Sequence, residues 1–242
     1  MNKKQTDREA VEFVYTGQEN LEAMKEAKNY NRYLASLVER YLPQKNKKKI
    51  KILDFGAGIG TYADMLTEAG YVVDCLELDQ DQVSQLKAKS YKVYDNLGSI
   101  QTNYDIIYAF NVFEHIEEDI EVFGALAEKL ADKGVAVIYV PAFPVLFSSM
   151  DKLVGHHRRY KLSRLNNMAA AAKLHVSYVG YGEPVGFLAA LTYKIIGNKS
   201  GMITPSSVKL YDTVAFPLSK VLTPVFKHLF GKNALLVAHK EL

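Results

Sequence analysis

Three glycines at alternate positions are the most informative residues for chemistry in this sequence. Gly56, Gly58 and Gly60 follow a short apolar run and an acid, Asp54, and a helical pattern begins directly after them. Glycine lacks a Cβ and adopts conformations that other residues avoid, so this turn can approach a ligand closely. The N–H groups of the next helix point to the same place. The pattern predicts a nucleotide-type cofactor site at Asp54, Gly56, Ala57, Gly58 and Gly60.

The order of residues in the turn distinguishes two classes of cofactor. A dinucleotide-binding turn reads G-x-G-x-x-G, and the third glycine of that pattern is missing here because Thr61 and Tyr62 follow Gly60. A carboxylate at Asp54 would repel a pyrophosphate but suits the ammonium group of S-adenosylmethionine (SAM). The sequence therefore predicts SAM. A nicotinamide or flavin cofactor, and a fold that has lost its cofactor, are the less favoured alternatives.

A second acid follows the next apolar segment, residues 71–77. A carboxylate at the tip of such a strand can accept hydrogen bonds from both ribose hydroxyls of a nucleoside. Glu77 and its neighbour Leu78 are therefore predicted to contact the cofactor. Asp79 has two interpretations, a further cofactor contact or the N-cap of a helix over 80–90.

The segment 104–116 opens with an acid after Tyr104, continues as an apolar strand and ends in Phe113-Glu114-His115-Ile116. With the glycine turn and Glu77, it resembles the class I SAM-dependent methyltransferases, in particular the small-molecule group that includes the ubiquinone-biosynthesis O-methyltransferases. The resemblance covers residues 25–183 and a last strand at 233–239. It implies that Asn111 and Phe113 line the methionine side of the cofactor. It also implies that Glu114 and His115 lie near the methyl group.

The same resemblance implies an acid that binds the adenine amine after the third strand. Asp95 occupies that position. A plain turn built on Asp95 and Asn96 explains the same residues nearly as well.

The alternation of apolar and helical segments predicts an α/β fold. We expect a Rossmann-like sheet of seven strands, the last one antiparallel, with helices on both faces. Strands are predicted at 50–54, 71–77, 91–94, 105–110, 134–140, 174–181 and 233–239, and helices at 61–69, 80–89, 117–131 and 162–173. Four regions follow: an N-terminal helical lid (1–48), the SAM-binding core (49–183), a helical basic insertion (184–232) and the final strand (233–242).

The lid contains an aromatic stripe in a helix predicted over 19–42, which Pro43 ends. By resemblance to the family, Tyr30 and Tyr33 are predicted to contact the substrate. The alternative is a helix that only packs on the domain through these aromatic residues.

The insertion is too long for a structureless loop in a compact domain. Between residues 201 and 240 the sequence has five lysines but a single acid, Asp212. Pro205, Pro217 and Pro224 are predicted to break it into short helices. Three functions remain open for this basic, amphipathic segment: a substrate lid, a dimer surface, or attachment to an anionic membrane surface.

The stretch 141–160 follows the fifth strand and should lie over the methyl-transfer site. It resembles the pattern P-A-x-x-x-L-[FWY]-S-x-x-D-x-x-x-G-H-x-R-R-Y of a bacterial methyltransferase subgroup, which suggests a cell-envelope lipid or saccharide acceptor. Methyl transfer to a hydroxyl requires an aligned acceptor and a base, and histidine is the usual base. We predict His156 and His115 as the catalytic residues.

The residues after His156 are the predicted acceptor contacts on this loop. Arg158 and Arg159 would bind a carboxylate or phosphate, while Tyr160 and Glu114 would complete the pocket. The alternative is an ion pair between Asp151 and one of the arginines that only holds the loop. The spacing of the histidines matches no recognised ligand pattern, so no metal site is predicted.

Composition limits the remaining function classes. The single cysteine among 242 residues excludes an internal disulfide and a radical-SAM cluster. A net charge of +3 gives no argument for a nucleic-acid partner. No signal peptide or membrane span is recognised, so a cytoplasmic enzyme is expected, and peripheral contact at the inner face of the membrane is one of the functions left open for its insertion.

The predicted function is SAM-dependent methyl transfer, by O-methylation with a histidine base, to a small-molecule or lipid- or saccharide-linked acceptor. The alternatives are an N- or C-methyltransferase, and a non-catalytic SAM-binding protein that docks on a membrane or another enzyme. The sequence leaves the oligomeric state open.

Overall fold

The apolar segments of the sequence form one mixed sheet of seven strands. A computed structural model describes residues 23–196 and 205–241. The strands are β1 (Lys51–Phe55), β2 (Val72–Leu76), β3 (Lys92–Tyr94), β4 (Tyr104–Phe110), β5 (Leu130–Pro141), β6 (Leu174–Gly182) and β7 (Asn233–Lys240). Their order is β3-β2-β1-β4-β5-β7-β6, and β7 runs antiparallel to both of its neighbours. The predicted seven-stranded sheet with an antiparallel last strand is confirmed.

Helices cover both faces of this sheet. They are α1 (Lys28–Tyr41), α2 (Thr61–Glu68), α3 (Gln80–Ala88), α4 (Asp119–Glu128), α5 (Ser149–Leu153), α6 (Leu162–Ala171), α7 (Pro184–Ile196), α8 (Pro205–Leu210) and α9 (Phe216–Phe226). Successive strand side chains point to opposite faces, so Ile52 packs under α1–α3 while Leu53 packs under α4 and α6. Within the described ranges, no helix is long and apolar enough to cross a membrane.

The strand order places a ligand site between β1 and β4. The sheet grows toward β3 on one side of β1 and toward β6 on the other side, so the order reverses there. Loops that leave the carboxyl ends of strands at such a reversal diverge and leave a crevice. The glycine turn after β1, Glu77 after β2 and Asn111 after β4 all lie at these ends.

Three predicted element boundaries are wrong: the helix predicted over 19–42 is interrupted at 25–27, so α1 begins at Lys28. The helix predicted over 117–131 ends at Glu128, and β5 begins at Leu130 rather than 134. A bulge in the pairing of β4 with β5 accommodates the extra strand residues. Gly134 permits this bulge, because a Cβ there would lie 2.7 Å from the carbonyl oxygen of Ala131.

Pro217 and Pro224 do not break the insertion as the sequence predicted, whereas Pro205 begins a helix. Helix α8, a π-helical turn at Tyr211–Ala215 and α9 form one continuous helical segment from 205 to 226. Pro217 lies in the first turn of α9, directly after the π turn, where the change of hydrogen-bond pattern tolerates a residue without an N–H. Pro224 lies inside α9 near its end.

The insertion holds the N-terminal helix in place. The carboxylate of Asp212 accepts hydrogen bonds from the backbone N–H groups of Asn29 (2.9 Å) and Tyr30 (2.8 Å) at the start of α1. A buried acid thus caps a helix more than 180 residues away in the sequence. Residues 1–22 of the predicted lid and 197–204 of the insertion lie outside the described residues.

Candidate functional site

The glycine turn after β1 is a cradle that only glycine can form. Gly56, Gly58 and Gly60 have φ angles of +73°, +57° and +84°, in the left-handed region. A Cβ on Gly56 would lie 2.5 Å from the side chain of Val112, in the turn after β4. The N–H groups of Gly56 and Ala57 donate to the carbonyl oxygen of Leu76 at 2.9 and 3.1 Å. The turn is therefore fixed against the end of β2.

Glu77 joins the end of β2 to this turn. Its carboxylate accepts hydrogen bonds from the N–H groups of Gly58 (2.7 Å), Leu78 (2.8 Å) and Asp79 (3.0 Å). Leu78 is 49% exposed and gives the turn an apolar edge. Asp79 accepts from the N–H groups of Asp81 and Gln82, so its interpretation as the N-cap of α3 is confirmed.

Asp54 is a buried acid beneath the turn. It is 2% exposed, and its Oδ2 has no hydrogen-bond partner among the described residues. Burial raises the pKa of Asp54 to about 7; the neighbouring Tyr108 hydroxyl opposes the rise and the charge of Glu77 adds to it. A buried carboxylate without a partner is unfavourable. The site therefore fits a ligand that brings a positive charge or hydrogen-bond donors to this oxygen.

Two further predicted cofactor contacts lie at the same edge of the sheet. Asp95 is exposed directly after β3, and Tyr94 beside it accepts a hydrogen bond from the N–H of Glu77 at 3.0 Å. Asn96 donates to the Asp95 carboxylate, so both interpretations of Asp95 fit. Asn111 is exposed with φ of +55°, and its N–H donates to the carbonyl oxygen of Tyr139 at 2.8 Å.

Phe113 is placed differently from its prediction. Its side chain is completely buried and packs against Phe55 and Phe123, with ring centroids 5.6 Å apart in each case. It has no exposed surface for a ligand, so the expected contact with the cofactor is corrected to a core position. The chain turns sharply at Asn111, which directs Phe113 inward.

An aspartate–histidine pair lies beyond the end of β4. Nδ1 of His156 lies 2.8 Å from Oδ1 of Asp151, which also pairs with Nε of Arg159 at 2.7 Å. Asp151 is fixed in turn by the N–H and hydroxyl of Ser148, a capping box at the start of α5. Burial alone would raise the pKa of Asp151, but its bonds to His156 and Arg159 hold it well below its usual range.

Glu114 and His115 face this pair. Nε2 of His156 lies 3.8 Å from Oε1 of Glu114, and the His115 and His156 rings meet edge-to-face with centroids 4.6 Å apart. Glu114 is fully buried, and neither carboxylate oxygen has a hydrogen-bond partner among the described residues. Burial raises the pKa of Glu114 to about 8. Burial and the nearby His156 lower the pKa of His115 to about 4.

The predicted anion-binding residues of the loop are engaged inside the protein. Arg158 donates to the carbonyl oxygens of Ile116 (2.6 Å) and Glu117 (2.8 Å) and pairs with Asp119 at 3.1 Å. Arg159 is bound by Asp151 through two nitrogens. These contacts agree with the alternative in which ion pairs hold the loop.

Tyr160 also differs from its prediction. It is completely buried, and its hydroxyl donates to Asp119 at 2.7 Å and lies 2.8 Å from the carbonyl oxygen of Phe113. We correct its role from an acceptor contact to a buried anchor between the loop and the turn after β4.

Comparison with known proteins agrees with this geometry. A family model described as a methyltransferase domain matches residues 27–179, more than half of the chain. The chain belongs to this methyltransferase family. No curated protein matches the sequence of the methyltransferase.

Solved structures share its fold. A phosphoethanolamine N-methyltransferase 2 from Haemonchus contortus, in complex with SAM, is 13% identical with a TM-score of 0.62, covering 96% of this chain and 59% of that one. A SAM-dependent methyltransferase from Archaeoglobus fulgidus is 15% identical (TM-score 0.59; 91% and 99% covered). The cyclopropane synthase MmaA2 from Mycobacterium tuberculosis is 14% identical (TM-score 0.56; 86% and 83% covered). The methyltransferase has the class I methyltransferase fold.

The methyltransferase contains a second polar cluster that the sequence analysis missed. Glu183, directly after β6, is buried with φ of +59°, and its carboxylate accepts hydrogen bonds from Tyr139 and Tyr211, each at 2.7 Å, and from Asn233. The only available sequence signal was an acid between a strand-ending glycine and a helix-starting proline.

Tyr30 and Tyr33 border this cluster. The Tyr30 ring packs edge-to-face on Tyr139 (6.4 Å) and Phe216 (5.5 Å), and Tyr33 also packs on Phe216. Burial raises the pKa of Tyr30 well above its usual range, while a hydrogen bond from the Asn111 side chain opposes the rise. Tyr30 therefore reaches the carboxyl ends of β4 and β5, and both predicted lid tyrosines pack on Phe216, as in the packing alternative.

The fold also brings together three residues of the kinds that bind metals, although their spacing in the sequence predicted no metal site. One ligand atom each from Glu114, His115 and His156 lies within 4.8 Å of the other two. Imidazole nitrogen and carboxylate oxygen are common ligands of divalent transition metals. The three residues are compatible with a divalent ion, and no sequence pattern indicated them because His156 comes from a different loop.

Proposed function

We propose that this methyltransferase transfers a methyl group to a hydroxyl oxygen of a small-molecule or lipid- or saccharide-linked acceptor, with His156 as the base. The observation that carries the proposal is the Asp151–His156 pair beside Glu114 and His115, at the carboxyl end of β4. N- and C-methylation remain the alternatives.

The cofactor side supplies binding and orientation. In this proposal Glu77 holds the ribose hydroxyls, Leu78 covers the adenine, and Asp54 pairs with the ammonium group. Asp95 and Asn111 contact the adenine and the methionine side. SAM supplies an electrophilic methyl group on a sulfonium, so the protein mainly has to align the acceptor with it.

On the side that holds the methyl acceptor, His156 is the group that takes up the proton. In the tautomer that the Asp151 carboxylate favours, Nδ1 of His156 donates and Nε2 carries a free lone pair. The hydroxyl proton of the acceptor passes to Nε2, and the negative charge of Asp151 stabilises the resulting imidazolium. His115 is neutral near pH 7 because its pKa is about 4, so it can align the acceptor without repelling this cation.

The first test separates cofactor binding from catalysis. We expect calorimetric titration with S-adenosylhomocysteine to show binding that Asp54→Ala and Glu77→Ala each weaken at least about tenfold. Radiolabelled methyl transfer from SAM to cell-envelope lipid and saccharide fractions then provides the activity readout. A protein that binds the cofactor but transfers no methyl group to any fraction would support the non-catalytic alternative.

The second test addresses the base. His156→Gln should lower kcat about 100-fold or more with unchanged cofactor affinity, as expected for loss of general-base catalysis. His157→Gln is the matched control, because His157 is the exposed neighbour in the same loop. Equal activities of the two variants would contradict the assignment of His156.

A divalent metal in the same cluster is the second candidate, supported by the distances among Glu114, His115 and His156. In this version Glu114, His115 and His156 would hold the ion, which would supply Lewis-acid activation of the acceptor hydroxyl. Loss of activity on chelation and its recovery with Mg²⁺ or Mn²⁺ would favour this candidate. Equilibrium dialysis should also show that the wild type binds the metal more tightly than His115→Asn does. Full activity in chelator would rule it out in favour of the histidine base.

A further inference from the structure

The outer face of the segment from 205 to 229 carries an exposed apolar stripe. Its members are aliphatic residues that recur every three or four positions: Leu210, Val214, Leu218, Val221, Val225 and Leu229. Their exposed fractions lie between 52% and 74%. Five of them lie on the continuous helical segment from 205 to 226, and Leu229 lies in the turn that follows it. Their spacing of three or four positions is that of residues on one side of a helix. We refer to these six residues as the outer stripe.

The opposite face of the segment is fixed to the protein. Val208, Asp212, Phe216 and Ser219 are buried. Asp212 caps α1, and the Ser219 hydroxyl accepts the N–H of Val185 at 3.1 Å. The orientation of the segment is therefore set by specific contacts, and these contacts direct the outer stripe away from the core.

Positive charge lies on the same segment: Lys209 and Lys220 are exposed, and we refer to them as the lysine edge. The Lys220 ammonium group lies 5.8 Å from the centre of the Tyr33 ring, while Lys227 is half-buried over the Tyr178 ring. Asp212 is the single acid between residues 184 and 232, and it is buried. An amphipathic helix with aliphatic residues next to lysines has the composition that lies in the interface of an anionic bilayer.

The chemistry of the stripe favours lipid over protein. Interfaces between proteins are rich in aromatic residues and arginine and poor in lysine. The aromatic residues of this segment, Tyr211, Phe216 and Phe226, contact other residues of the protein itself, and the sequence has no arginine after Arg164. Two copies that met through this face would also bring their lysine edges together.

We propose that the outer stripe and its lysine edge dock the protein on an anionic lipid surface. This inference concerns where the protein binds, so it does not depend on methyl transfer. The buried face of the same segment contributes Tyr211 to the Glu183 cluster, so docking would place the acceptor side of the site next to the lipid.

Vesicle co-sedimentation of the full chain tests the proposal. We expect binding to phosphatidylcholine vesicles that contain about a third phosphatidylglycerol, weak binding to pure phosphatidylcholine, and release by high salt. Val221→Asp should weaken partitioning at least about tenfold, because it places a charge in the centre of the stripe. Val72→Asp is the matched control, since Val72 is exposed elsewhere on the surface.

A second pair of variants tests the charge. Lys209→Gln with Lys220→Gln should weaken binding, whereas Lys48→Gln with Lys87→Gln removes the same charge from another surface and should not. Circular dichroism and S-adenosylhomocysteine titration verify that each variant is folded. No binding of the wild type to anionic vesicles, or unchanged binding of Val221→Asp, would overturn the proposal. A dimer in sedimentation velocity that Val221→Asp dissociates, without vesicle binding, would assign the stripe to a second copy instead.

Discussion

The cofactor side and the acceptor side of the site are held together in different ways. On the cofactor side, residues close in sequence are joined through backbone groups: Glu77 binds the N–H of Gly58, 19 positions away. On the acceptor side, side chains of the 151–160 loop bind distant segments: the Tyr160 hydroxyl reaches Asp119 across 41 positions, and Arg158 reaches the carbonyl oxygen of Ile116 across 42.

This difference has an energetic consequence. Backbone donors around Glu77 are neutral and fixed by the turn, so the cofactor side is preorganised without paired charges. The acceptor side contains buried acids whose free energy depends on a few partners, such as Asp151 with Arg159. We therefore expect changes on the two sides to affect cofactor affinity and catalysis separately.

The largest effect is expected for a substitution of Gly56, which tests the cofactor side of the site directly. Gly56→Ala places a Cβ 2.5 Å from Val112 at a positive φ angle, so the turn must shift. We expect affinity for S-adenosylhomocysteine to fall at least about 100-fold, and the free energy of unfolding to fall by about 1–3 kcal/mol. Calorimetric titration and denaturant unfolding measure the two quantities.

Gly124→Ala is the matched control for this prediction. Gly124 lies inside α4, and a Cβ there would meet nothing within 4 Å. Alanine is favoured over glycine in a helix by up to about 1 kcal/mol, so this variant should be more stable and bind normally. Normal cofactor binding by Gly56→Ala would show that the turn tolerates a side chain and is not the cradle we describe.

The second prediction tests whether the acceptor side can be disabled alone. Asp151→Asn removes the charge that faces His156 and Arg159, and kcat should fall about 100-fold because the imidazolium loses its partner. The free energy of unfolding should fall by about 3 kcal/mol, the range for a broken buried pair. Affinity for S-adenosylhomocysteine should stay within about twofold.

Asp64→Asn provides the surface control for this variant. Asp64 pairs with Lys89, but both side chains are 40% exposed, so the loss should be at most about 1 kcal/mol. If Asp151→Asn weakened cofactor binding as strongly as catalysis, the two sides would be coupled and the comparison would fail.

The third prediction uses the pKa of Asp54, which burial raises to about 7. Between about pH 4 and pH 7 the unfolded chain loses this proton while the folded chain keeps it. The free energy of unfolding should therefore decrease as pH rises through this window, by up to about 1.4 kcal/mol per pH unit. Asp54→Asn should flatten the decrease and, at pH 7.5, be more stable than the wild type by roughly 1–3 kcal/mol.

Urea unfolding at pH 5 and pH 7.5 measures this effect. Some slope should remain in Asp54→Asn, because the pKa of Glu114 is also raised, to about 8. Cofactor affinity should fall in Asp54→Asn. Asp54 would then lower the free energy of unfolding while it strengthens cofactor binding. A variant less stable than the wild type at pH 7.5 would show that Asp54 is stabilised by a partner in the folded protein.

The same comparison explains how much could be predicted from the sequence. The glycine turn, Glu77 and the sheet of seven strands with an antiparallel last strand could be predicted from short sequence patterns and the family resemblance. The pairing of Asp151 with His156 and Arg159 was open, because a loop sequence does not reveal which acid turns inward. Glu183 and Asp212 were missed as site residues, since their partners lie far away in the sequence.

Phe113 and Pro217 are residues for which the sequence predicts a role or a position that the structure does not show. A family pattern placed Phe113 at the cofactor, but its direction depends on the turn at Asn111, which has a positive φ angle. The sequence predicts that Pro217 breaks the helix. A π turn lies directly before it, however, so the α-helical hydrogen-bond pattern is already interrupted where Pro217 lacks an N–H. In both cases one backbone irregularity, invisible in the sequence, decided the outcome.

The smallest effect is expected at Asp212, which tests whether the long-range contacts hold the lid. Asp212→Asn keeps one acceptor for the N–H groups of α1 but loses the negative charge at the helix start, so the free energy of unfolding should fall by about 1 kcal/mol. Thr213→Ala is the control, because its hydroxyl bonds only to carbonyls of its own helix. The acceptor KM should rise in Asp212→Asn while cofactor affinity stays unchanged, since α1 carries Tyr30 toward β5. An unchanged KM with reduced stability would show that α1 supports the fold but does not shape the acceptor side.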